Sequence, residues 1–207
     1  MKSEILKLRK KIFKNLKDRA LSYEAPNPEL QKYQKDQDHY AKRSFTISNM
    51  EQLSKQVLSS DIIYLGDFHT FDQNIRNVLR IVKILITEKS DLILGLEMIS
   101  SEHQNYIDAY LERHLTDLEF LELINYNQSW RFPWTHYKLI FELAKKHQIK
   151  VIGLNKQGSL EDRDRYAASL LTKSLIENKG SKILVLYGEL HITCLLYTSD
   201  AADDSLR

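Results

Sequence analysis

Apolar positions along this chain fall into two rhythms. From Phe45 onward, short apolar runs closed by glycine or a polar residue alternate with longer stretches whose apolar residues recur every three or four positions. The runs at 61–66, 91–97, 150–155 and 182–188 read as buried strands. Between them, 74–87 carries Ile75, Val78, Leu79, Val82 and Leu85 on one helical side, and 101–111, 117–124, 134–147 and 163–177 read as further helices. Near-continuous apolar strands separated by helices predict an α/β fold, mainly a parallel sheet covered by helices on both faces.

The first part of the chain follows the helical rhythm alone. Ile5, Leu8, Ile12 and Leu16, with Leu6 and Phe13 beside them, form one stripe of a helix over 3–23. Lys2, Lys7, Arg9, Lys10, Lys11, Lys14, Lys17 and Arg19 face only Glu4 and Asp18 there. Such an N-terminal amphipathic helix packs its stripe on its own domain and solvates its charges; contact of residues 1–20 with an anionic membrane surface is the alternative. The segment 23–43, with Pro26 and Pro28, reads as a loop or loosely helical linker. The chain therefore divides into a basic helix and linker over 1–43 and an α/β domain over 44–193.

Residues 194–207 stand apart. The run from Cys194 to Asp204 resembles the in-frame translation of a transposase-type sequencing-library adaptor. It is read as an artefact of read-through, so that the natural domain is truncated after Thr193 and Cys194 carries no chemistry. Composition adds bounds rather than identity. A net charge of +2 over 207 residues gives no strong nucleic-acid signal, and one cysteine excludes an internal disulfide. With no signal peptide or lipobox as written, the expected location is cytoplasmic, or the cell envelope if the start is misassigned.

The candidate chemistry lies at the strand ends. Gly66-Asp67-Phe68-His69 and Gly188-Glu189-Leu190-His191 each close an apolar run, and Glu97 closes another. Glycine lets the chain turn off the strand, so that two imidazoles and a carboxylate can converge where ligands bind in open parallel sheets. A His69, His191 and Glu97 set suits zinc or another first-row metal, with Asp67 and Glu189 as further ligands or supports, or acts as base and orienter. Among the remaining histidines, His147 ends a helix, where a cation meets the helix dipole favourably. His103 follows Glu97, His114 carries no motif, and His136 sits in the aromatic cluster from Trp130 to Tyr137. That cluster is either core or the wall of a pocket for a flat ligand, with Arg131 available to a carboxylate. Neither a serine or cysteine nucleophile motif nor a phosphate-cradling glycine loop occurs.

Taken in order, Leu65-Gly66-Asp67-Phe68-His69, Leu94-Gly95-Leu96-Glu97-Met98, Trp130 with Trp134 to Tyr137, Val151 to Asn155 and Gly188-Glu189-Leu190-His191 resemble the ChaN-like haem-binding family. That family lies within the wider erythromycin-esterase-like, Tiki and TraB group. The blocks span 44–193, and Asp67 stands where the first motif commonly has glutamate. The resemblance implies a bacterial, iron-regulated, lipoprotein-related protein linked to haem binding or iron uptake, with His69, Glu97 and His191 at the group's shared motif positions. It also implies a tyrosine contact to haem, for which Tyr106, Tyr110 and Tyr137 are candidates. Trp134, Arg131, Tyr137 and Tyr106 are accordingly the expected cofactor-binding residues. The alternative is a metal-dependent hydrolase, in which His69, His191 and an acid hold the metal and Glu97 is ligand or general base.

Overall fold

The computed structural model describes residues 2–23, 28–42, 44 and 46–192. The expected artefact over 194–207, with Cys194, lies outside the described residues. Among those described, four strands form one parallel sheet: β1 (Ile62–Asp67), β2 (Leu92–Ser100), β3 (Lys150–Asn155) and β4 (Lys182–Gly188), in the order β1-β4-β2-β3. Burial follows this order. The two inner strands are buried along nearly their whole length, whereas edge strands β1 and β3 are partly covered.

Alternation along the strands sorts the core into two layers. Leu94, Leu96, Met98, Leu184, Leu186 and Val151 face a large cluster built with α4 (Asp72–Thr87), α5 (Gln104–Leu111), α6 (Asp117–Leu123) and α8 (Trp134–His147). Ile93, Ile183, Val185 and Tyr187 face a smaller one, closed by Ala167 and Leu171 of α9 (Leu160–Glu177). The sheet thus has a thick face and a thin face, and the thin one rests on far fewer apolar side chains.

Several expectations change at this level. The segment read as a linker contains a helix, α2 (Pro28–Ala41), whose Tyr33 is 1% exposed. A helix α3 (Met50–Ser59) was not expected from periodicity; Asn49 and Gln52 form a reciprocal capping box that starts it. β2 runs past Glu97 to Ser100, with a register shift against β3 between Leu96 and Ser100. Short helices α7 (Tyr126–Ser129) and α10 (Glu189–Ile192) complete the set. In α1 (Lys2–Tyr23), Ile5, Leu8 and Ile12 are exposed at 48%, 58% and 49%, so these three do not pack on the domain as expected. The side chains of Leu6, Phe13 and Leu16 lie outside the described residues. No described helix is long and apolar enough to cross a membrane.

Candidate functional site

β1 delivers Asp67 as its last residue, and the chain then turns through Phe68 and His69 before α4 begins at Asp72. Asp67 Oδ2 lies 2.8 Å from His69 Nδ1 and accepts the Tyr137 hydroxyl proton at 2.8 Å, while Asn74 Nδ2 donates to Oδ1 at 3.1 Å. Burial alone pushes the Asp67 carboxyl up, but the bonds from His69, Asn74 and Tyr137 together hold it below the usual carboxylate range. The same burial, with the Asp67 charge beside it, drives the Tyr137 hydroxyl well above the ordinary tyrosine value. Tyr137 therefore serves as a neutral donor. His69 packs between Trp130, edge-on, and Phe132, tilted, each at 4.7 Å between ring centres. With Nδ1 facing Asp67, Nε2 is the nitrogen left for a ligand, the arrangement usual in metal-binding histidines.

A second histidine is held in the same manner by different elements. His191 Nδ1 sits 2.6 Å from Asp164 Oδ1 in α9, and Asp164 Oδ2 accepts the Tyr33 hydroxyl of α2 at 2.5 Å. The His191 ring also meets Tyr33 and Tyr187 edge-on. Its Nε2 lies 3.7 Å from Glu97 Oε1, too far for a direct hydrogen bond. Glu97 itself is occupied: Arg163 donates to Oε1 at 2.8 Å and the Gly188 backbone N–H to Oε2 at 2.5 Å. Its carboxylate is neutralised and fixed, which suits a structural bridge between β2, β4 and α9 better than a mobile proton acceptor.

The two motif glycines have a different purpose from the expected one. Neither Gly66 nor Gly188 belongs to the positive-φ residues, so no left-handed turn requires them. They allow close approach. A Cβ at Gly188 would stand 3.1 Å from Glu97 Oε2 and 3.3 Å from His191 Cδ2, and one at Gly66 would stand 3.1 Å from Ile192 Cδ1. The motifs also diverge after the glycine: the second enters α10 at once, the first does not.

Asp67, His69, Glu97, Glu189 and His191 line one cavity of about 500 Å³, together with Phe68, Phe132, Leu160 and the α2 residues Tyr33, Gln34, Gln37 and Asp38. This volume lies within the range of roughly 300 to 1,000 Å³ usual for small-molecule sites. The structure gathers the predicted strand-end residues around the cavity but divides them between two networks. Among the described residues no group of three or more His, Cys, Asp or Glu side chains is placed to hold a metal ion. The aromatic expectations are distributed otherwise. Tyr137 touches the site through Asp67 from a fully buried position; Trp134 packs in the core with Tyr110, Tyr126, Phe120 and Phe141. Arg131 is exposed with φ 67°, and Tyr106 stacks loosely near His103; neither lines the cavity. His136 faces Asp72 at 3.6 Å, and His114 faces Glu112 at 3.4 Å, both apart from the site.

Sequence reasoning missed Tyr33, Asn74, Arg163 and Asp164. Asp164 had a signal: it falls in register with Ala167, Leu171 and Ser174 on the buried side of α9, and a carboxylate in such a stripe needs a partner. Tyr33 had little, because its helix is mostly polar.

Residues 53–163, more than half of the chain, match the family model described as haem-binding uptake, Tiki superfamily, ChaN. This chain belongs to the ChaN family. Against curated protein sequences it has no significant match. Among solved structures it resembles ChaN of Campylobacter jejuni, described with cofacially bound haem, at 17% identity and TM-score 0.53, over 68% of this chain and 75% of that one. It also resembles RRSP, a MARTX toxin effector domain from Vibrio vulnificus, at 19% identity and TM-score 0.51. That match takes in 77% of this chain but 33% of the toxin domain, and both likenesses concern the fold. Within the ChaN family fold, the cavity sits at the carboxyl ends of β1, β4 and β2, where α/β sheets bind ligands.

Proposed function

We propose that this member of the ChaN family binds haem, or a related iron species, in the strand-end cavity, with His69 as the residue facing the iron. The observation that carries this reading is the Asp67 to His69 pairing at the cavity wall. It occupies Nδ1 and leaves Nε2 for a metal. Phe68, Phe132 and Leu160 supply apolar surface for a flat macrocycle. Among the described lining residues the carboxylates Asp38, Asp67, Glu97 and Glu189 disfavour propionates inside the cavity and direct them toward solvent. Bound haem would supply an iron centre for ligand or electron exchange; the protein's part is to hold the imidazole, exclude water from one face and keep Asp67 ionised.

The test is a hemin titration of the full chain followed by its Soret band, alongside His69→Ala and Tyr137→Phe. Saturable binding that is lost in His69→Ala and only weakened in Tyr137→Phe is the expected result. Absence of saturable binding in the unsubstituted protein sinks the haem reading.

A hydrolase is the second reading, and one observation favours it: the Asp164-held imidazole of His191, 3.7 Å from Glu97, has the make-up of a general base. In its metal-dependent form His69, His191 and an acid would converge on the ion. Stoichiometric divalent metal in the purified protein, with ester hydrolysis lost in His191→Ala, is the outcome that would put this reading first.

A further inference from the structure

We propose that Asp164, itself held by Tyr33, is a positioning residue that fixes His191 as the Nδ1–H tautomer, so that the cavity meets an unprotonated Nε2. The inference rests on the strand-end cavity being the ligand site, and it gives α2 and α9 a role there beyond lining the cavity. Three observations converge on it. Asp164 is 4% exposed and sits on the buried side of α9, where a lone carboxylate would be costly; both its oxygens are committed, Oδ1 to His191 and Oδ2 to Tyr33. Tyr33 of α2 is 1% exposed and meets the His191 ring edge-on as well as bonding Asp164, so α2 is pinned at this histidine. Arg163, one residue before Asp164, fastens Glu97, so a single turn of α9 sets both groups that flank His191.

The direction of each bond follows from its chemistry. A tyrosine hydroxyl beside a carboxylate donates, so Asp164 stays an acceptor, and only a protonated Nδ1 can meet it at 2.6 Å. Nε2 is then turned toward Glu97 and the cavity without a hydrogen-bond partner of its own among the described contacts. It is available to a metal centre or to an acidic proton of a bound molecule. Two aspartate-held imidazoles, His69 and His191, thus present the same nitrogen to one cavity.

The decisive measurement is long-range proton–nitrogen NMR of histidine side chains in the full chain at mildly alkaline pH, with His191 assigned by its loss in His191→Gln. The expected unsubstituted pattern is the Nδ1–H tautomer. In Asp164→Asn the Tyr33 hydroxyl still donates to the amide oxygen, which turns the amide NH2 toward Nδ1 and switches His191 to Nε2–H. Adding Tyr33→Phe to Asp164→Asn removes that constraint and gives a mixture. An unsubstituted His191 that is Nε2–H, doubly protonated or averaged between tautomers overturns the proposal without any variant, as does an Asp164→Asn spectrum identical to it. Because no ligand is present in this measurement, its failure is separate from a failure of hemin to bind.

Discussion

Two histidines at the carboxyl edge of the sheet are each held by an aspartate that is itself held by a tyrosine, yet the two triads are built from different material. Tyr137, Asp67 and His69 belong to β1, the turn after it and α8, on the thick face of the sheet, and Asn74 gives Asp67 an additional partner. Tyr33, Asp164 and His191 come from α2, α9 and α10, on the thin face, with two partners for the carboxylate. The difference teaches that the same polar unit can be supported by core packing or can itself provide the support. In the first, buried aromatics dictate where Asp67 stands. In the second, the hydrogen bonds attach a mostly polar helix to the domain.

The largest way to test this contrast is to remove each carboxylate. Asp67→Ala leaves three buried or half-buried groups without their acceptor and should cost about 3 kcal/mol in urea unfolding; Asp164→Ala should cost about 2 kcal/mol. Equal losses would mean that the thick face adds nothing. The glycines come next. Gly188→Ala places a methyl against a fixed carboxylate and the His191 ring and should cost roughly 1 to 3 kcal/mol, whereas Gly66→Ala meets the movable end of Ile192 and should cost less than about 1 kcal/mol. Smaller still are the hydroxyls: Tyr137→Phe and Tyr33→Phe should each lose about 1 kcal/mol. Only Tyr33→Phe should speed amide exchange in α2.

The finest distinction is in acid. Asp67 has a folded value below its unfolded one, near 3.9, so its contribution is complete above that pH and is lost as pH falls through the folded value. The stability gap between the unsubstituted protein and Asp67→Asn should therefore be widest at neutral pH and close progressively below about pH 4. A gap that stays constant down to the lowest pH would show that Asp67 is not held as a carboxylate. At the alkaline end, Tyr64, pushed up to about 12 by burial, favours the folded state below pH 10 and loses that contribution as pH rises toward 12.

Much of the fold was readable in advance because its signals are local. The strands at 150–155 and 182–188 and the helix at 134–147 form over the expected residues, since their apolar periods and boundary residues already suit strand or helix. Of the site, Asp67, His69, Glu97 and His191 were legible because each follows an apolar run, and such runs end at the ligand-binding edge of a parallel sheet. α2 was not, because a mostly polar helix gives only a weak apolar period.

By itself, then, the sequence determined the alternation of strands and helices, the strand-end motifs and the family, all of which depend on residues near one another along the chain. Only the tertiary structure decided which acceptor each histidine meets. It placed Asp164 27 positions from His191 and Tyr33 131 positions from Asp164, and it gave Glu97 to Arg163 and Gly188 rather than to the imidazoles. Partner choice among buried polar groups is settled by the distances that sheet order and helix packing impose, and a linear pattern carries no record of those distances.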